Sequence, residues 1–259
     1  MNRLAVVAAG LALLVAAGAP ADAQIGPRGD QRLAGLQWRF VRIRYHFDII
    51  QDTRQEDIIG EPWFIDGPAA EQNLTRRIKT ATAIETDDPI VLALDSPDLF
   101  SYPWVYLVEP GTLRMTDTEV ENLREFLLRG GTVTFDDFHG PIEWGNLARE
   151  MKRVFPDREI VDVPADHPVF SCFYTLTEYP QIPGLGSFEA GRTWEKGGYV
   201  PKLRTILDDD GRPMMFINWN TDMGDGWEWS NVEQFPDYIK YTALSYRMMI
   251  NEIVYALTH

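Results

Sequence analysis

The stretch that most constrains the fold is residues 130–140, GGTVTFDDFHG, which follow a helical pattern of apolar residues. The two glycines end that helix, because glycine tolerates the left-handed conformation of a helix cap. Thr132–Phe135 then form a short apolar strand that stops at Asp136 and Asp137. In an open α/β sheet, ligands bind beyond the carboxyl ends of the strands. The stretch therefore predicts an α/β fold with a ligand site at this strand end.

Apolar periodicity along the chain alternates between strand and helix. Short apolar or alternating runs predict strands at 40–45, 90–94, 104–108, 132–135 and 159–163. Apolar residues spaced three and four apart predict helices at 69–80, 116–129, 142–154 and 236–257. Strands that alternate with helices through short connections form a mainly parallel sheet with helices on both faces. The predicted fold is therefore a three-layer α/β/α sandwich.

Two later segments depart from this alternation. Residues 164–200 are rich in proline, glycine and aromatic residues with little periodicity, which predicts a long irregular insertion. A long loop of this kind inside a compact domain is usually functional. Residues 203–207 and 214–218 flank the turn sequence DDDGR, which predicts an antiparallel hairpin beside the parallel strands.

The first 23 residues have the pattern of a signal peptide. A basic residue precedes an apolar run, and the small-residue sequence Ala-Asp-Ala ends at residue 23. We therefore expect a secreted or periplasmic protein whose mature chain starts at Gln24. Residues 24–36 are predicted to be a flexible tether, and residues 37–259 a single domain. No later segment reaches the roughly 18 uncharged apolar residues of a spanning helix, so no transmembrane segment is predicted after cleavage.

Charge, cysteine content and missing motifs exclude several functions. The formal net charge of −15 repels phosphate backbones, so we expect no nucleic-acid partner. Cys172 is the single cysteine and lies in the apolar run VFSCFY, which indicates a buried structural thiol. The chain has no nucleophile elbow of the G-x-S-x-G type, no glycine-rich phosphate loop and no HExxH zinc motif. No cofactor and no specific metal ligands are predicted, although the many carboxylates are compatible with a divalent cation.

The strand end supplies the candidate catalytic residues. Neighbouring residues on a strand point to opposite faces, so we expect Asp137 to face the crevice and Asp136 to cap the next helix or pair with a base. Asp137 and His139 are the candidate catalytic residues, as a base or metal ligand. The structural alternatives are capping of the helix at 142–154 by the aspartates and a loop hydrogen bond from His139.

A second set of candidates follows the hairpin. Residues 218–229, NWNTDMGDGWEW, place oxygen side chains at alternate positions, but the glycine and the final position do not match an EF-hand. Indoles beside carboxylates suit sugars, whose apolar faces stack on aromatic rings, although the same tryptophans could instead fill the core. Asp-His-Pro at 166–168 could orient an imidazole or form a turn. The candidate ligand-binding residues are Asp136, Tyr106, His167, Asn220, Asp222, Asp225 and Trp227.

Several motifs taken together resemble a bacterial family, the domain of unknown function 4159. They are SYPWVY at 101–106, LREFLLRGG at 123–131, Asp136-Asp137, DHPVF at 166–170, NTDMGD at 220–225 and NEIVYAL at 251–257. The resemblance covers nearly all of residues 38–259. It implies the fold of class I glutamine amidotransferases, a flavodoxin-like sandwich, and no particular activity.

The amidotransferase comparison bears on one reaction, cysteine-dependent glutamine hydrolysis. In those enzymes a strand leads into a tight elbow that carries the nucleophilic cysteine, and a helix follows. Residues 131–138 and the helix near 142 look like the same unit, with Asp137 about where that cysteine would be. Cys172 lies well downstream, so cysteine-dependent glutamine hydrolysis is not expected.

The sequence thus favours an exported domain that binds a small polar ligand, a carbohydrate among the candidates, at the carboxyl ends of the strands. Two other functions stay open. One is a hydrolase in which Asp137 or His139 is the base or a metal ligand. The other is a non-catalytic envelope scaffold whose contact surface is formed by 164–200 and 219–229. The expected partner is accordingly a small polar ligand or an envelope protein.

Overall fold

The computed structural model describes residues 37–48 and 61–259. The predicted signal peptide and tether therefore lie outside the described residues. The described strands are β1 Val41–Arg44, β2 Ile90–Ala93, β3 Trp104–Val108, β4 Thr132–Phe138, β5 Val161–Asp162, β6 Lys202–Thr205 and β7 Met215–Trp219. They form one seven-stranded sheet in the order β2-β1-β3-β4-β7-β6-β5.

The sheet is mostly parallel. β2, β1, β3, β4 and β7 run in the same direction, whereas β6 is antiparallel to β7 and β5 is antiparallel to β6. The hairpin predicted from the turn sequence is the β6–β7 pair. Because β3, β4 and β7 are parallel neighbours, their carboxyl ends meet at one edge of the sheet.

Helices cover both faces of the sheet. The described α-helices are α1 Ala69–Ala81, α2 Asp117–Leu128, α3 Gly140–Val154, α4 Leu185–Glu189, α5 Met223–Glu228 and α6 Ile239–Thr258. Apolar residues of α2 and α3 pack on one face, together with Val133 and Phe135 of β4. Those of α1, α5 and α6 pack on the other, together with Trp104 and Phe216. The predicted three-layer α/β/α sandwich is confirmed. No helix among the described residues is long and apolar enough to cross a lipid bilayer.

Local sequence signals account for the ends of several elements. Thr116 accepts a hydrogen bond from the backbone N–H of Glu119, and the Glu119 carboxylate accepts one from the backbone N–H of Thr116. This capping box starts α2 where the sequence predicts it. At the other end of the helix Gly130 has a φ of 102°, and a side chain at Gly131 would overlap the Phe126 ring. The glycine pair therefore both ends α2 and admits a close passage into β4.

The insertion at 164–200 is irregular, as predicted. Its regular elements are α4 and a short 3-10 helix at Pro168–Phe170, and it contains no strand. Its backbone is tied to the sheet layer at several points. Just before the insertion, the backbone N–H of Val163 donates to the carbonyl of Leu203, and within it the carbonyl of Ile182 accepts from the backbone N–H of Asp222. The insertion is thereby held beside the carboxyl ends of the parallel strands.

Candidate functional site

A cleft of about 640 Å³ opens at the edge of the sheet where β3, β4 and β7 end. Residues far apart in sequence converge there because parallel strands bring their carboxyl ends to one edge. The insertion contributes one wall, from Gly184 to Lys196. We call this pocket the acidic cleft, because it is lined by the carboxylates of Asp66, Glu109, Asp137, Glu195, Asp222, Asp225 and Glu228.

Asp66 lies in the turn that precedes α1. The buried guanidinium of Arg42 donates to the carbonyl oxygens of Trp63 and Ile65 at 3.2 and 3.0 Å, and pairs with Glu71 at 2.6 Å. These contacts hold the turn against β1. Oδ2 of Asp66 is buried and has no hydrogen-bond partner among the described residues. Burial, followed by the neighbouring carboxylates, raises the pKa of Asp66 well above its usual value.

Asp137 stands at the end of β4 with its backbone in the left-handed region, at a φ of 55°. The side chain is nearly buried, and its Oδ1 lies 3.1 Å from Nε2 of His139. His139 is 2 % exposed and its Nδ1 is buried without a partner, so the imidazole lies behind Asp137 and does not line the cleft. Burial, followed by the charges of Glu195 and Asp136, raises the pKa of Asp137 well above its usual value.

Helix α5 and its cap carry three further acids. Asp222 caps the helix by accepting from the backbone N–H of Asp225 at 2.8 Å. Asp225 in turn accepts from the backbone N–H of Leu185 at 2.5 Å, which joins α5 to the insertion. Glu228 lies three residues after Asp225, so both carboxylates share a helix face. Burial, followed by the charge of Asp225, raises the pKa of Glu228 to about 7.

The carboxylates converge closely enough to hold a cation. Asp66, Asp137 and Asp222 each offer an oxygen, and these oxygens lie within 4.8 Å of one another; the same holds for Asp66, Asp225 and Glu228. Two oxygens bound to one ion at the calcium–oxygen distance of about 2.4 Å lie at most about 4.8 Å apart, so the observed spacing falls within that limit. Two like charges 4 Å apart repel by about 1 kcal/mol in water and about 4 kcal/mol at an effective dielectric constant of 20. The cluster therefore favours bound protons or cations.

Asp136 faces away from the cleft, as expected for the neighbour of Asp137. Its carboxylate accepts from the hydroxyl of Tyr106 at 2.7 Å and from the backbone N–H groups of Met223 and Gly224 at 3.2 and 2.9 Å. The helix that it caps is α5, after β7, and not the next helix α3. Burial raises the pKa of Asp136 to about 6, while these hydrogen bonds lower it. Asp136 thus anchors the helix that carries Asp225 and Glu228 of the cleft lining.

A second network fixes the elbow between β4 and α3. The backbone N–H of Gly140 donates to Oδ1 of Asn220 at 2.9 Å, and Nδ2 of Asn220 donates to the carbonyl of Val200 at 2.7 Å. A side chain at Gly140 would overlap the carbonyl of Lys196. Lys196 itself pairs with Glu143 of α3 at 2.7 Å. Asn220 therefore holds the strand end and the insertion together, away from the cleft lining.

Unusual backbone conformations concentrate at this site. Among the described residues, five non-glycine residues have a positive φ. Four of them line the acidic cleft, namely Asp66, Glu109, Asp137 and Lys196, and the fifth is Asn220. Such conformations cost free energy and persist where the surrounding structure determines them, most often at functional sites.

Three other residues predicted from sequence lie apart from the cleft lining. Tyr106 and Trp227 are fully buried, with ring centroids 5.6 Å apart, so neither ring has a face open to a ligand. His167 caps the 3-10 helix of the insertion, where its Nδ1 accepts from the backbone N–H of Val169. Its ring lies 5.0 Å from that of Tyr255 on α6. The turn interpretation of this motif matches the geometry.

The structure also adds residues that the sequence reasoning missed. Asp66, Glu109, Glu195, Lys196 and Glu228 line the cleft together with the predicted acids. One local signal was available for Asp66, because Asp-Gly-Pro before a helix is a turn sequence. The others have no motif, and only the meeting of the strand ends with the insertion brings them together.

The match to known proteins covers the whole described fold. A family model described as Domain of unknown function (DUF4159) matches residues 39–257. No curated protein matches the chain. The chain belongs to the DUF4159 family, as its motifs indicated.

Proposed function

We propose that the acidic cleft binds a divalent cation and, through it, a small polar ligand. The observation that carries the proposal is the group formed by Asp66, Asp137 and Asp222, whose oxygens lie within 4.8 Å of one another. Within this group Oδ2 of Asp66 is buried and accepts no hydrogen bond from residues 37–48 or 61–259. A buried carboxylate oxygen without a partner costs free energy that a bound cation would recover.

The surroundings of the cluster support a cation from outside the chain. Two basic side chains are in the cleft lining: Lys196 pairs with Glu143 at 2.7 Å, and the Arg192 guanidinium lies 5.2 Å from the centre of the Trp194 ring. Arg42 is engaged with Glu71 and with backbone carbonyls. Oxygen donors without histidine or cysteine favour hard cations such as Ca²⁺, Mg²⁺ or Mn²⁺. These ions keep open coordination positions for hydroxyl or oxyanion groups, which suits a polar ligand in a cleft of about 640 Å³.

Thermal unfolding of the chelator-treated protein tests the proposal. Ca²⁺, Mg²⁺ or Mn²⁺ at about 100 times its dissociation constant should stabilise the protein by about 2.7 kcal/mol. Asp66→Asn should abolish this response, whereas Asp209→Asn, which removes an exposed carboxylate on a distant hairpin turn, should preserve it. A library of sugars added to the cation-loaded protein should then give a further shift. If no cation alters unfolding, the proposal fails and the scaffold function gains support.

A second candidate function is a hydrolase, favoured by the contact between Asp137 and His139. Oδ1 of Asp137, in the cleft lining, lies 3.1 Å from Nε2 of the buried His139. The imidazole can therefore orient the Asp137 carboxylate and share a proton with it. In this function Asp137 would act as base or metal ligand, and His139 would act through it. The test is turnover of chromogenic phosphate esters and glycosides. Asp137→Asn must abolish that turnover without unfolding the protein.

Two broader features of the chain are also part of the proposal. Strand β4 leads through Asp137, which has a φ of 55°, into α3. This strand–turn–helix passage supports a fold of the class I amidotransferase-like type. The basic, apolar and small-residue pattern of residues 1–23 supports a secreted or periplasmic location. Mass spectrometry of the protein expressed in a bacterial host would test the second point, since cleavage should leave Gln24 as the first residue.

A further inference from the structure

Asp66 belongs to both groups of converging carboxylates. It shares one group with Asp137 and Asp222 and the other with Asp225 and Glu228, and within each group the offered oxygens lie within 4.8 Å of one another. We infer that the acidic cleft holds two divalent cations bridged by Asp66, an inference that rests on the proposed cation-binding function. A carboxylate has two oxygens and can therefore bind one ion on each side.

The environment of Asp66 fits a bridging role. Its Oδ2 is buried with no hydrogen-bond partner in the part of the chain that the structure describes, which suits an oxygen that binds an ion. A side chain at Gly224 would overlap the same oxygen and also approach the Tyr106 hydroxyl. Arg42 donates to the carbonyls of Trp63 and Ile65, which precede Asp66, and so fixes the turn on the side away from Gly224. Asp66 is thus placed between the strand-end acids and the face of α5.

Contacts to the surrounding fold hold the donors of the first group in place. Asp137 is 9 % exposed, and its Oδ1 lies 3.1 Å from Nε2 of His139. Asp222 uses Oδ1 to cap α5. Oδ2 of Asp66, the third donor, is buried without a hydrogen-bond partner among the described residues, and an ion would offset the cost of burying its charge.

The second group has its own donors on one helix face. Asp225 and Glu228 are three residues apart on α5. Each oxygen of Asp225 accepts one hydrogen bond, Oδ2 from the backbone N–H of Leu185 and Oδ1 from the indole N–H of Trp229. These bonds orient the carboxylate and leave a second lone pair on each oxygen. The second ion therefore has a site that does not depend on Asp137 or Asp222.

Charge balance favours two ions over one. The two groups together contain five carboxylates, namely Asp66, Asp137, Asp222, Asp225 and Glu228. With all five ionised, one divalent ion would leave a charge of 2 − 5 = −3, whereas two ions would leave 4 − 5 = −1. Two cations sharing ligands in proteins lie about 3.5–4 Å apart, a distance that one bridging carboxylate spans. Hard cations, Mn²⁺, Mg²⁺ or Ca²⁺, are the expected class.

Titration of the full-length, chelator-treated protein with Mn²⁺ tests the inference. Calorimetry should give two ions per chain. Electron paramagnetic resonance should show the isolated six-line Mn²⁺ signal at one equivalent and a spin-coupled pair at two. Glu228→Gln should bind one ion and keep the isolated signal, while Glu233→Gln, an exposed control beyond α5, should still bind two. Asp66→Asn should lose the coupled signal.

The failures of the two proposals are distinguishable. Saturation at one ion per chain, with an isolated signal throughout, would overturn the two-cation inference and leave the proposed function standing. Two ions without spin coupling would overturn the bridging role of Asp66. Two ions in Glu228→Gln would overturn the second site. No binding of Mn²⁺, Mg²⁺ or Ca²⁺ to the wild-type protein would overturn both proposals.

Discussion

Gly224 on α5 faces the carboxylate of Asp66 so closely that a single added carbon would overlap its Oδ2 atom. The two residues are 158 positions apart (224 − 66) in the chain. Their approach depends on α1 and α5 packing side by side on the same face of the sheet. The absence of a side chain at position 224 is thus a condition for placing the Asp66 carboxylate inside the acidic cleft.

Gly224→Ala should weaken cation binding by at least about tenfold, because displacement of one liganding carboxylate typically has effects of this size. Gly145→Ala is the matched control, since a Cβ at that position of α3 meets no atom within 4 Å. Calorimetric titration with Ca²⁺ or Mn²⁺ measures both variants. Unchanged affinity in Gly224→Ala would remove Asp66 from the set of ligands.

Asp137→Asn should stabilise the cation-free protein by about 1 kcal/mol at neutral pH, because it removes one charge from a crowded group of buried carboxylates. Asparagine also tolerates the positive φ at this position. The same variant should lose part of the stabilisation by cations, because Asp137 belongs to the first group of carboxylates and not to the group formed by Asp66, Asp225 and Glu228. Urea unfolding in chelator and in excess Ca²⁺ measures both effects.

A comparison variant for Asp137 is Asp162→Asn. The Asp162 carboxylate pairs with Lys202 at 2.6 Å and with Arg204 at 2.7 Å. Burial is the largest single influence on the pKa of Asp162 and raises it, but the two partners together outweigh burial, so the pKa is lowered. Its loss should not stabilise the protein. Destabilisation of the cation-free protein by Asp137→Asn would contradict the view that this cluster is under electrostatic strain.

Tyr106→Phe should lower the free energy of unfolding by about 1–3 kcal/mol, because it removes a buried hydrogen bond to a carboxylate. Cation affinity should change little, since Asp136 keeps its bonds to the N-terminus of α5. Urea unfolding and calorimetry separate the two quantities. A large loss of affinity would place Asp136 among the ligands rather than among the supports.

We expect Glu252 on α6 to make folding stability depend on pH. The side chain is fully buried; its Oε2 accepts from Thr134 at 3.0 Å and from Asn218 at 3.4 Å, and its Oε1 has no partner among the described residues. Burial raises the pKa of Glu252 to about 8, opposed by these two bonds, and the charge of Asp136 raises it further. Tyr179 is linked to Glu252 through Asn218, because its hydroxyl donates to Oδ1 of Asn218.

The sign of the pH effect follows from the direction of the shift. Below the pKa of the unfolded state Glu252 is protonated in both states, and its contribution to stability is fully present. As pH rises toward about 8 only the unfolded state releases the proton, so stability falls by about 1.4 kcal/mol per pH unit from this group. Glu252→Gln should remove that slope, which urea unfolding between pH 5 and 8 measures. Equal slopes in the two proteins would show that Glu252 is ionised in the fold.

Cys172→Ala should leave cation binding unchanged and should not alter any turnover that the protein displays. The thiol is half-buried beside the carbonyl of Asn251, at 3.3 Å, and does not line the acidic cleft. Burial raises the pKa of Cys172, which disfavours the thiolate. Assays of glutamine hydrolysis on the wild-type protein should give no ammonia above background. Thiol-dependent ammonia release would contradict the expected loss of amidotransferase chemistry.

The sequence by itself determined the layered α/β architecture and the position of one strand end. Periodicity is a local property, so the helices and the strand that leads into Asp136 and Asp137 could be predicted from spacing alone, although β4 extends beyond its predicted end, through both aspartates to Phe138. The opposite orientation of these two side chains also followed from the alternation of side chains along a strand. Asp222 and Asp225 were candidates because they follow a predicted strand.

Only the tertiary structure decided which acids form one site. Asp66 belongs to a turn before α1, and Glu195 to the irregular insertion, and neither has a sequence pattern that refers to β4. Trp227 shows the converse, because its position beside the acids suggested a sugar platform, while packing of α5 against the sheet buries it completely. Local sequence specifies which side chains leave a strand or helix, but the packing of parallel strand ends against an insertion determines which of them meet.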